Sequence, residues 1–313
     1  DGIRDDLVTG VQTCALPIYK GVYLFGDLPF YPAMDSADVW AEPTLVDLDN
    51  QLQPNLIGGV PPDNYSATGQ LWGNPLYNWD RLAADDYGWW IKRLEHSMTL
   101  CDLVRLDHFR GLEAYWAVLP GQKTAEQGKW VKGPGYELLD AVFKRMGSPP
   151  LVAEDLGFMT PEVDTLRIHY QIPGMEVLQE RFIEGWLDFD NIQADSVCYP
   201  GTHDNDTCLG WFNGSPRDIR TPERIRQNQA EVLKHTGVSP ENVVEGMLQL
   251  AFSRDSLLTV ATMQDFLGLD SDARMNLPGT TGSNWRWRLL QAQLNERLVD
   301  RIGQLAADNC RGR

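Results

Sequence analysis

The chain has 313 residues, enough for one large domain or two smaller ones with a substantial buried core. Its 44 acidic residues outnumber its 27 basic residues, for a formal net charge of −17. This balance argues against nucleic acid as a partner, because phosphate binding needs a basic surface, and also against membranes and anionic substrates. Neutral ligands are compatible with it.

The five cysteines are scattered, odd in number and without a CxxC pair. This pattern argues against a disulfide framework and a structural zinc site, and it indicates a reducing compartment. No uninterrupted apolar run approaches transmembrane length. We therefore expect a cytoplasmic protein, or a plastid protein if the source is a plant.

Residues 1–18 differ in character from the rest of the chain. They have no initiator Met, no basic N-terminal region and no clear apolar core, which argues against a signal peptide. They also lack the period of a helix or a strand. We expect this segment to be foreign to the fold, for example translated vector or adapter sequence, and disordered.

From Tyr19 onwards, short apolar runs alternate with helical patterns. The apolar runs predict buried strands at 21–26, 102–107, 151–155, 174–178, 196–200 and 256–262. Residues 53–79 are rich in Pro, Gly, Asn and aromatic residues and predict a long loop. Strands that alternate with helices predict a parallel sheet covered by helices, and six strands are two fewer than a (β/α)8 barrel contains.

The helices are predicted from their start signals and apolar faces. Thr160, Thr221 and Ser239 are each followed by Pro and Glu, the pattern of an N-cap, a first turn and a partner for the helix dipole. A further helix is predicted over 133–146. Two apolar faces mark an earlier helix and the last one, formed by Ile91, Leu94, Met98 and Cys101, and by Leu290, Leu294, Leu298, Ile302 and Leu305.

Three acids stand at the polar ends of predicted strands: Asp107 in LVRLDHFRG, Glu154 in LVAEDLG and Asp204 in VCYPGTHDND. Chemistry in α/β folds sits at the C-terminal tips of parallel strands. Retaining transfer at an acetal carbon needs a carboxylate nucleophile and a carboxylic acid about 5–5.5 Å apart. The short Asp107 suits the nucleophile and the longer Glu154 suits the acid/base. Three converging carboxylates therefore favour retaining glycosidic chemistry.

Neighbouring residues support this interpretation. Arg105 precedes Asp107 by two residues, so strand alternation places both on one side, where the Arg105 charge would keep Asp107 ionised. His108 and His203 each adjoin an acid and could donate hydrogen bonds to sugar hydroxyls.

The same acids also have structural interpretations. Asp107 could cap the next helix, Glu154 and Asp155 could form surface ion pairs, and the segment 203–206 could bind a cation. A chelate is disfavoured because adjacent strand residues point to opposite faces. The chain has no GxSxG, Walker or GxGxxG motif, which argues against a Ser/His/Asp triad, phosphoryl transfer and dinucleotide binding. We expect no metal and no cofactor.

The motifs resemble those of a known family, the 4-α-glucanotransferases, which are the amylomaltases or disproportionating enzymes of glycoside hydrolase family 77. The resemblance covers the chain from about residue 20 to its end. It is carried by GDLPFY, SADVW, GVPPD, GQLWGNPLYNW, VRLDHFRG, GPG, AEDLG, PGMEVLQ, GTHDNDT, MQDFLGLDSDARMNLPG and NWRWR.

The resemblance implies a (β/α)8 TIM barrel of the α-amylase clan type that transfers α-1,4-glucan segments to glucose or maltooligosaccharides through a covalent glycosyl-enzyme. It implies Asp107 as the nucleophile, Glu154 as the general acid/base and Asp204 as the acid that stabilises the transition state. The partner is then an α-1,4-glucan, with no obligate protein partner. The residues that it implies for substrate binding are Asp27, Trp72, Arg105, His108, His203 and Asn276.

The chain departs from the family at two places. Family members begin well before GDLPFY, so we expect 19–313 to be a barrel that lacks about its first two βα units, with insertions at 53–79 and 213–252. After PGMEVLQ, Glu180 and Arg181 replace the family's apolar and small residues. The alternatives to a transferase are an α-glucan hydrolase of amylase type and an inactive glucan-binding fragment. The aromatic loop favours transfer because it could shield the intermediate from water.

Overall fold

The computed structural model describes residues 20–63, 66–280 and 282–311. The chain divides into two compact units. The first contains the residues up to Pro61 and Leu71–Pro173, and the second contains Pro62–Gln70 and the chain from Gly174 onwards. Residues 1–18, predicted to be foreign to the fold, lie outside the described residues.

The first unit combines a parallel and an antiparallel sheet with helices. Its strands are β1 (Phe25–Leu28), β2 (Ile57–Val60), β3 (Gln70–Pro75), β4 (Leu103–Leu106), β5 (Ala114–Val118), β6 (Gly128–Lys132) and β7 (Leu151–Ala153). The first residue of β3, Gln70, belongs to the second unit. Its helices are α1 (Ala37–Ala41), α2 (Trp79–Ala84), α3 (Gly88–Leu100), α4 (Tyr136–Met146) and α5 (Pro161–His169).

The parallel sheet of the first unit contains β1, β4 and β7, in chain order. Its register pairs Asp27 with Arg105, and Leu106 with Ala153. Because the three strands run in one direction, their carboxyl ends meet at one edge. The segments after Leu28, Leu106 and Ala153 therefore start side by side, as the three predicted strands require.

The prediction of a loop over 53–79 is wrong, since this segment contains β2 and β3. They join β5 and β6 in a four-stranded sheet of order β3-β2-β5-β6, with β2–β5 and β5–β6 antiparallel. The sequence IGGV of β2 carries no alternation of apolar and polar residues, and its backbone finds its partners in Trp116–Val118, far along the chain. Such a strand depends on non-local pairing and is invisible to periodicity.

The core of the first unit is aromatic, with Phe30, Trp90 and Phe109 almost completely buried. On α3, Ile91 and Leu94 are buried, as their spacing predicts. Cys101, the last residue of the predicted face, lies one position beyond α3 as its C-cap residue.

The second unit is built on a parallel sheet of order β10-β9-β8. Its strands are β8 (Gly174–Val177), β9 (Ser196–Tyr199) and β10 (Leu258–Thr259). Its helices are α6 (Leu178–Glu184), α7 (Cys208–Asn213), α8 (Pro222–Thr236), α9 (Val243–Phe252), α10 (Met263–Phe266) and α11 (Glu296–Asp308). The strand predicted over 256–262 is therefore reduced to two residues.

The predicted helix starts have mixed outcomes. The Thr221 side chain accepts a hydrogen bond from the Arg224 N–H and caps α8. Thr160 precedes α5 without a side-chain capping bond, and Ser239 precedes a short 3₁₀ turn rather than α9 itself. The three motifs share a hydroxyl residue followed by Pro and Glu, but of the three hydroxyls only that of Thr221 forms a capping hydrogen bond.

The apolar face predicted for the last helix is partly wrong. The Asn295 side chain accepts a hydrogen bond from the Leu298 N–H and starts α11 at Glu296. Leu290 and Leu294 therefore precede the helix and are exposed, whereas Leu298 and Leu305 are buried. The N-cap Asn295 therefore determines where α11 begins, although the leucine spacing continues before it.

Within the described ranges, no helix is both long enough and apolar enough to cross a membrane. The described cysteines, Cys101, Cys198, Cys208 and Cys310, are free.

Candidate active site

In the first unit, Arg105 joins two acids at the edge of the parallel sheet. Its Nη1 donates to Asp27 Oδ1 and Oδ2, at 2.8 and 3.0 Å, and to Asp107 Oδ1 at 2.8 Å. The guanidinium is buried, while the two carboxylates remain almost half exposed. The contact that alternation predicts between Arg105 and Asp107 is therefore present, and one buried cation orients both carboxylates.

Glu154, directly after β7, is held by the backbone of neighbouring segments. Its Oε2 accepts the His108 N–H at 2.7 Å, and its Oε1 accepts the Leu156 N–H at 3.1 Å. The adjacent Asp155 forms a buried ion pair with Arg167, at 3.1 Å. Of this acidic pair, Asp155 is thus structural, whereas the half-buried Glu154 faces the segment that carries Asp107.

The pKa of Glu154 is raised from its ordinary value to about 8. Burial is the largest cause, because it disfavours the charged carboxylate, and the negative charge of Asp107 acts in the same direction. Arg105 and the His108 N–H oppose this rise without cancelling it. At neutral pH the raised pKa favours the protonated form of Glu154, which is the form that a general acid needs.

This pKa makes the stability of the first unit depend on pH. Between the ordinary pKa of about 4.5 and the folded pKa of about 8, the folded chain holds a proton that the unfolded chain has released. Raising the pH across this window therefore lowers the free energy of unfolding. We expect Glu154→Gln to remove this dependence, so that the melting temperature of the variant, relative to the parent, rises with pH.

Thermal melting at about pH 5 and about pH 9 measures this difference, and any constant cost of the amide cancels in it. Glu162→Gln is the matched control, because this exposed carboxyl at the start of α5 has a lowered pKa and stays ionised throughout. Equal shifts in the two variants would contradict the assignment to Glu154.

His108 is buried in an aromatic surround rather than open to solvent. Its ring makes edge contacts with Trp72, at a centroid distance of 4.8 Å, and with Phe30, at 5.9 Å. Burial, assisted by the charge of Arg110, lowers its pKa to about 3, so the imidazole is neutral. Its Nε2 is buried without a hydrogen-bond partner. His108 and Trp72, both predicted from the resemblance, thus touch each other in the same unit as Asp107 and Glu154.

In the second unit, Asp204 follows β9 and is held by two other predicted residues. Asn276 Nδ2 donates to Asp204 Oδ1 at 2.6 Å, and His203 Nε2 lies 3.5 Å from Asp204 Oδ2. The Asn276 N–H also donates to the His203 carbonyl, at 3.1 Å. These contacts fix the Asp204 carboxylate against the loop that carries Asn276.

The acids of the segment 203–206 have separate hydrogen-bond partners. Asp206 accepts the Ser271 hydroxyl and the Thr207 N–H, at 2.7 and 2.9 Å, apart from the partners of Asp204. Among the residues that the structure describes, no three or more His, Cys, Asp and Glu side chains are grouped to hold a metal ion.

Two residues next to Asp204 were not predicted from the sequence. Arg274 donates to the Asp204 carbonyl at 2.6 Å and to the Asn276 carbonyl at 2.8 Å. The Trp285 ring lies 5.1 Å from that of His203. Both stand in motifs that carry the resemblance, ARMNLPG and NWRWR, and this is the signal that could have found them.

The sequence of the chain is similar to that of a known protein family. A family model described as 4-alpha-glucanotransferase matches residues 15–293. The chain belongs to the 4-alpha-glucanotransferase family. This confirms the family resemblance predicted from the motifs.

Individual 4-alpha-glucanotransferases agree with this membership. The chain is 46% identical to that of Synechocystis sp. over 284 residues, which cover 88% of the chain and 54% of that enzyme. It is 42% identical to that of Thermus thermophilus over 294 residues, 91% of the chain and 58% of that enzyme. The chain thus spans about half the length of the relatives that it matches.

A solved structure of an amylomaltase is similar to this chain. The amylomaltase from Streptococcus agalactiae, solved in complex with acarbose, matches with a TM-score of 0.86 at 34% identity, over 94% of this chain and 59% of that one. The mixed α/β class predicted from the sequence is confirmed.

Proposed function

We propose that this chain carries the catalytic residues of a retaining 4-α-glucanotransferase, which moves α-1,4-glucan segments to glucose or maltooligosaccharide acceptors. One observation carries the proposal. Glu154, a carboxyl whose pKa is raised, is hydrogen-bonded to the segment of a second acid, Asp107, which an arginine holds in place. Retaining glycosyl transfer requires one carboxyl that donates a proton and a second that acts as the nucleophile.

In the first step, an Asp107 carboxylate oxygen attacks the anomeric carbon of the donor. The bond between that carbon and the glycosidic oxygen breaks, and Glu154 gives its proton to the departing oxygen. The products are a glycosyl ester on Asp107 and a shortened glucan. In the second step, ionised Glu154 removes the proton of an acceptor hydroxyl, whose oxygen displaces Asp107. A new α-1,4 bond forms, and both acids return to their initial states.

We assign Asp204 to stabilisation of the positive charge that develops on the sugar ring. Its carboxylate is partly exposed and held by Asn276, which is the arrangement of an oriented and charged group. We assign His108 to substrate binding together with Trp72, whose ring it contacts. Asp27, Arg105, Trp72 and His203 complete the proposed substrate-binding residues.

The barrel is part of the proposal. Two three-stranded parallel sheets, each with its strands in chain order, agree with six strands of a (β/α)8 barrel of the α-amylase clan type. The segment 53–79 and the helices of 213–252 would then be insertions.

Incubation with maltotriose tests the function. Transfer predicts a ladder of longer oligosaccharides together with glucose, because a sugar hydroxyl resolves the intermediate. Products that are only shorter than maltotriose would instead support an α-glucan hydrolase. A chain that binds the sugar without converting it would be a glucan-binding fragment, and the proposal would fail.

We expect Asn276→Ala to lower transfer about tenfold to a hundredfold, because a hydrogen bond to a charged group contributes about 1.5–3 kcal/mol. Asn191→Ala is a matched control, since Asn191 Nδ2 donates to Asp188 Oδ2 over the same 2.6 Å at an exposed position of the same unit. Rates of ladder formation compare the two. A loss of similar size in both variants would mean that Asn276 acts on stability alone.

A further inference from the structure

Two aromatic side chains of the first unit, neither of them among the proposed site residues, lie exposed beside each other. Trp130 on β6 is 37% exposed and Phe158, after β7, is 55% exposed. Their ring centroids are 5.8 Å apart and their planes differ by 25°. Two large apolar rings that lie beside each other and face water form an exposed apolar patch, and such patches are common at ligand-binding sites.

A buried arginine supports the two rings from beneath. The Arg110 guanidinium lies over the Trp130 ring at 4.0 Å and over the Phe158 ring at 5.6 Å, and its side chain is almost completely buried. The two rings are nearly parallel and contact the same cation, so Arg110 holds them in one orientation. We call Trp130 and Phe158, with Arg110 beneath them, the aromatic shelf.

The aromatic shelf is tied to both acids of the first unit. Phe158 follows Glu154 by four residues, a reach of at most about 14 Å. The chain between them is fixed, because the Leu156 N–H donates to Glu154 Oε1, and Gly157 turns with a φ of +78°. Arg110 belongs to the 3₁₀ turn Phe109–Leu112, which starts two residues after Asp107. The shelf is therefore connected to the acids through short segments of the chain.

Chemistry decides which sugar lies on this side. The group that protonates the glycosidic oxygen must contact the leaving glucan, and the same group later deprotonates the acceptor. Surface on the Glu154 segment is therefore next to the leaving and acceptor chain, not the donor ring that Asp107 attacks. Flat aromatic faces suit the apolar faces of glucose rings, and the Arg110 side chain is itself buried, so the two rings present apolar surface to a neutral glucan.

We propose that the aromatic shelf binds the acceptor glucan beyond the sugar that reacts, by stacking its glucose rings on Trp130 and Phe158. This inference rests on the proposed function and assigns its acceptor side. It makes longer maltooligosaccharides better ligands than short ones, through two rings that touch neither Asp107 nor the glycosidic bond.

Titration calorimetry of the full chain with maltoheptaose tests the proposal, in an Asp107→Asn background that prevents turnover. We expect Phe158→Ala and Trp130→Ala each to weaken binding about tenfold, the ratio that matches the upper range of aromatic stacking energies. Trp130→Phe keeps a ring and should retain most of the affinity. Trp40→Ala is the matched control, an 84% exposed tryptophan on α1 of the same unit, and should bind as the parent does.

The results of these experiments test the aromatic shelf separately from the proposed transferase function. Maltoheptaose affinity within twofold of the parent for both alanine variants would overturn the shelf, and so would an absence of binding by the parent. A change of oligomeric state in Phe158→Ala, seen by sedimentation with unchanged sugar affinity, would assign the shelf to a second copy of the chain and also overturn it. Phe158 is largely exposed, so its variant tests the shelf even if Trp130→Ala unfolds. The maltotriose ladder of the unmodified chain reports independently on the proposed function.

Discussion

Replacing Asp107 by Asn is expected to lower glucan transfer on the order of 10⁴-fold or more, the range found when a covalent nucleophile is removed. An amide oxygen cannot form the glycosyl ester that a carboxylate forms. The fold should persist, because Asn has the same shape and Arg105 keeps its two contacts with Asp27. The loss should therefore appear in turnover and not in the melting temperature.

The measurement follows ladder formation from maltotriose, together with thermal melting of each variant. Asp80→Asn is a suitable control, since Asp80 lies in the first turn of α2 in the same unit. It should retain normal transfer, with a stability change of a few tenths of a kcal/mol, typical of one charge near a helix start. Substantial transfer by a folded Asp107→Asn protein would remove Asp107 from its assigned role.

Replacing Glu154 by Gln is expected to lower transfer about 10²- to 10⁴-fold, the usual contribution of a general acid/base. The loss has a distinctive signature, because Glu154 serves the leaving group in the first step. An α-maltosyl fluoride donor needs no protonation of its leaving group, so its fluoride should still depart. The glycosyl ester on Asp107 should then accumulate, because no base activates the acceptor.

This signature is measured as a burst of fluoride of about one equivalent per chain, with the ester seen as a mass increase of the intact protein. Glu162→Gln, at the exposed start of α5, should show steady turnover without accumulation. Asp107→Asn should show neither burst nor ester, so the two acids are distinguished by one substrate. A Glu154→Gln protein equally slow with maltotriose and with the fluoride would contradict the acid/base assignment.

Much of the parallel sheet follows from local sequence patterns. The runs before Asp107, Glu154 and Asp204 do form strands, and the acids do follow the strand ends, because continuous apolar runs can be buried only in a covered sheet. What the patterns miss depends on distant partners. The pairing of β2 with β5 is one case, and the bridge from Arg105 to Asp27, 78 residues apart, is another.

The electrostatics of the site is also beyond the reach of sequence. The raised pKa of Glu154 results from burial and from Asp107, and both require the packed structure. The structure also separates two neighbouring acids through distant residues, since Asp155 forms a buried ion pair with Arg167 whereas Glu154 accepts the His108 N–H. The aromatic shelf is hidden for a similar reason, because Arg110, Trp130 and Phe158 come from three separate segments.

The hydrogen bond from the His108 N–H to Glu154 makes the site observable without any substrate. An amide proton that rests on a carboxylate changes its magnetic environment when that carboxylate gains or loses a proton. The His108 amide resonance of an isotope-labelled chain would therefore follow the titration of Glu154, and its slow exchange with solvent would report that β4 and β7 are paired. The His108 amide proton thus reports both the charge of Glu154 and the pairing of β4 with β7, even in variants that no longer convert sugar.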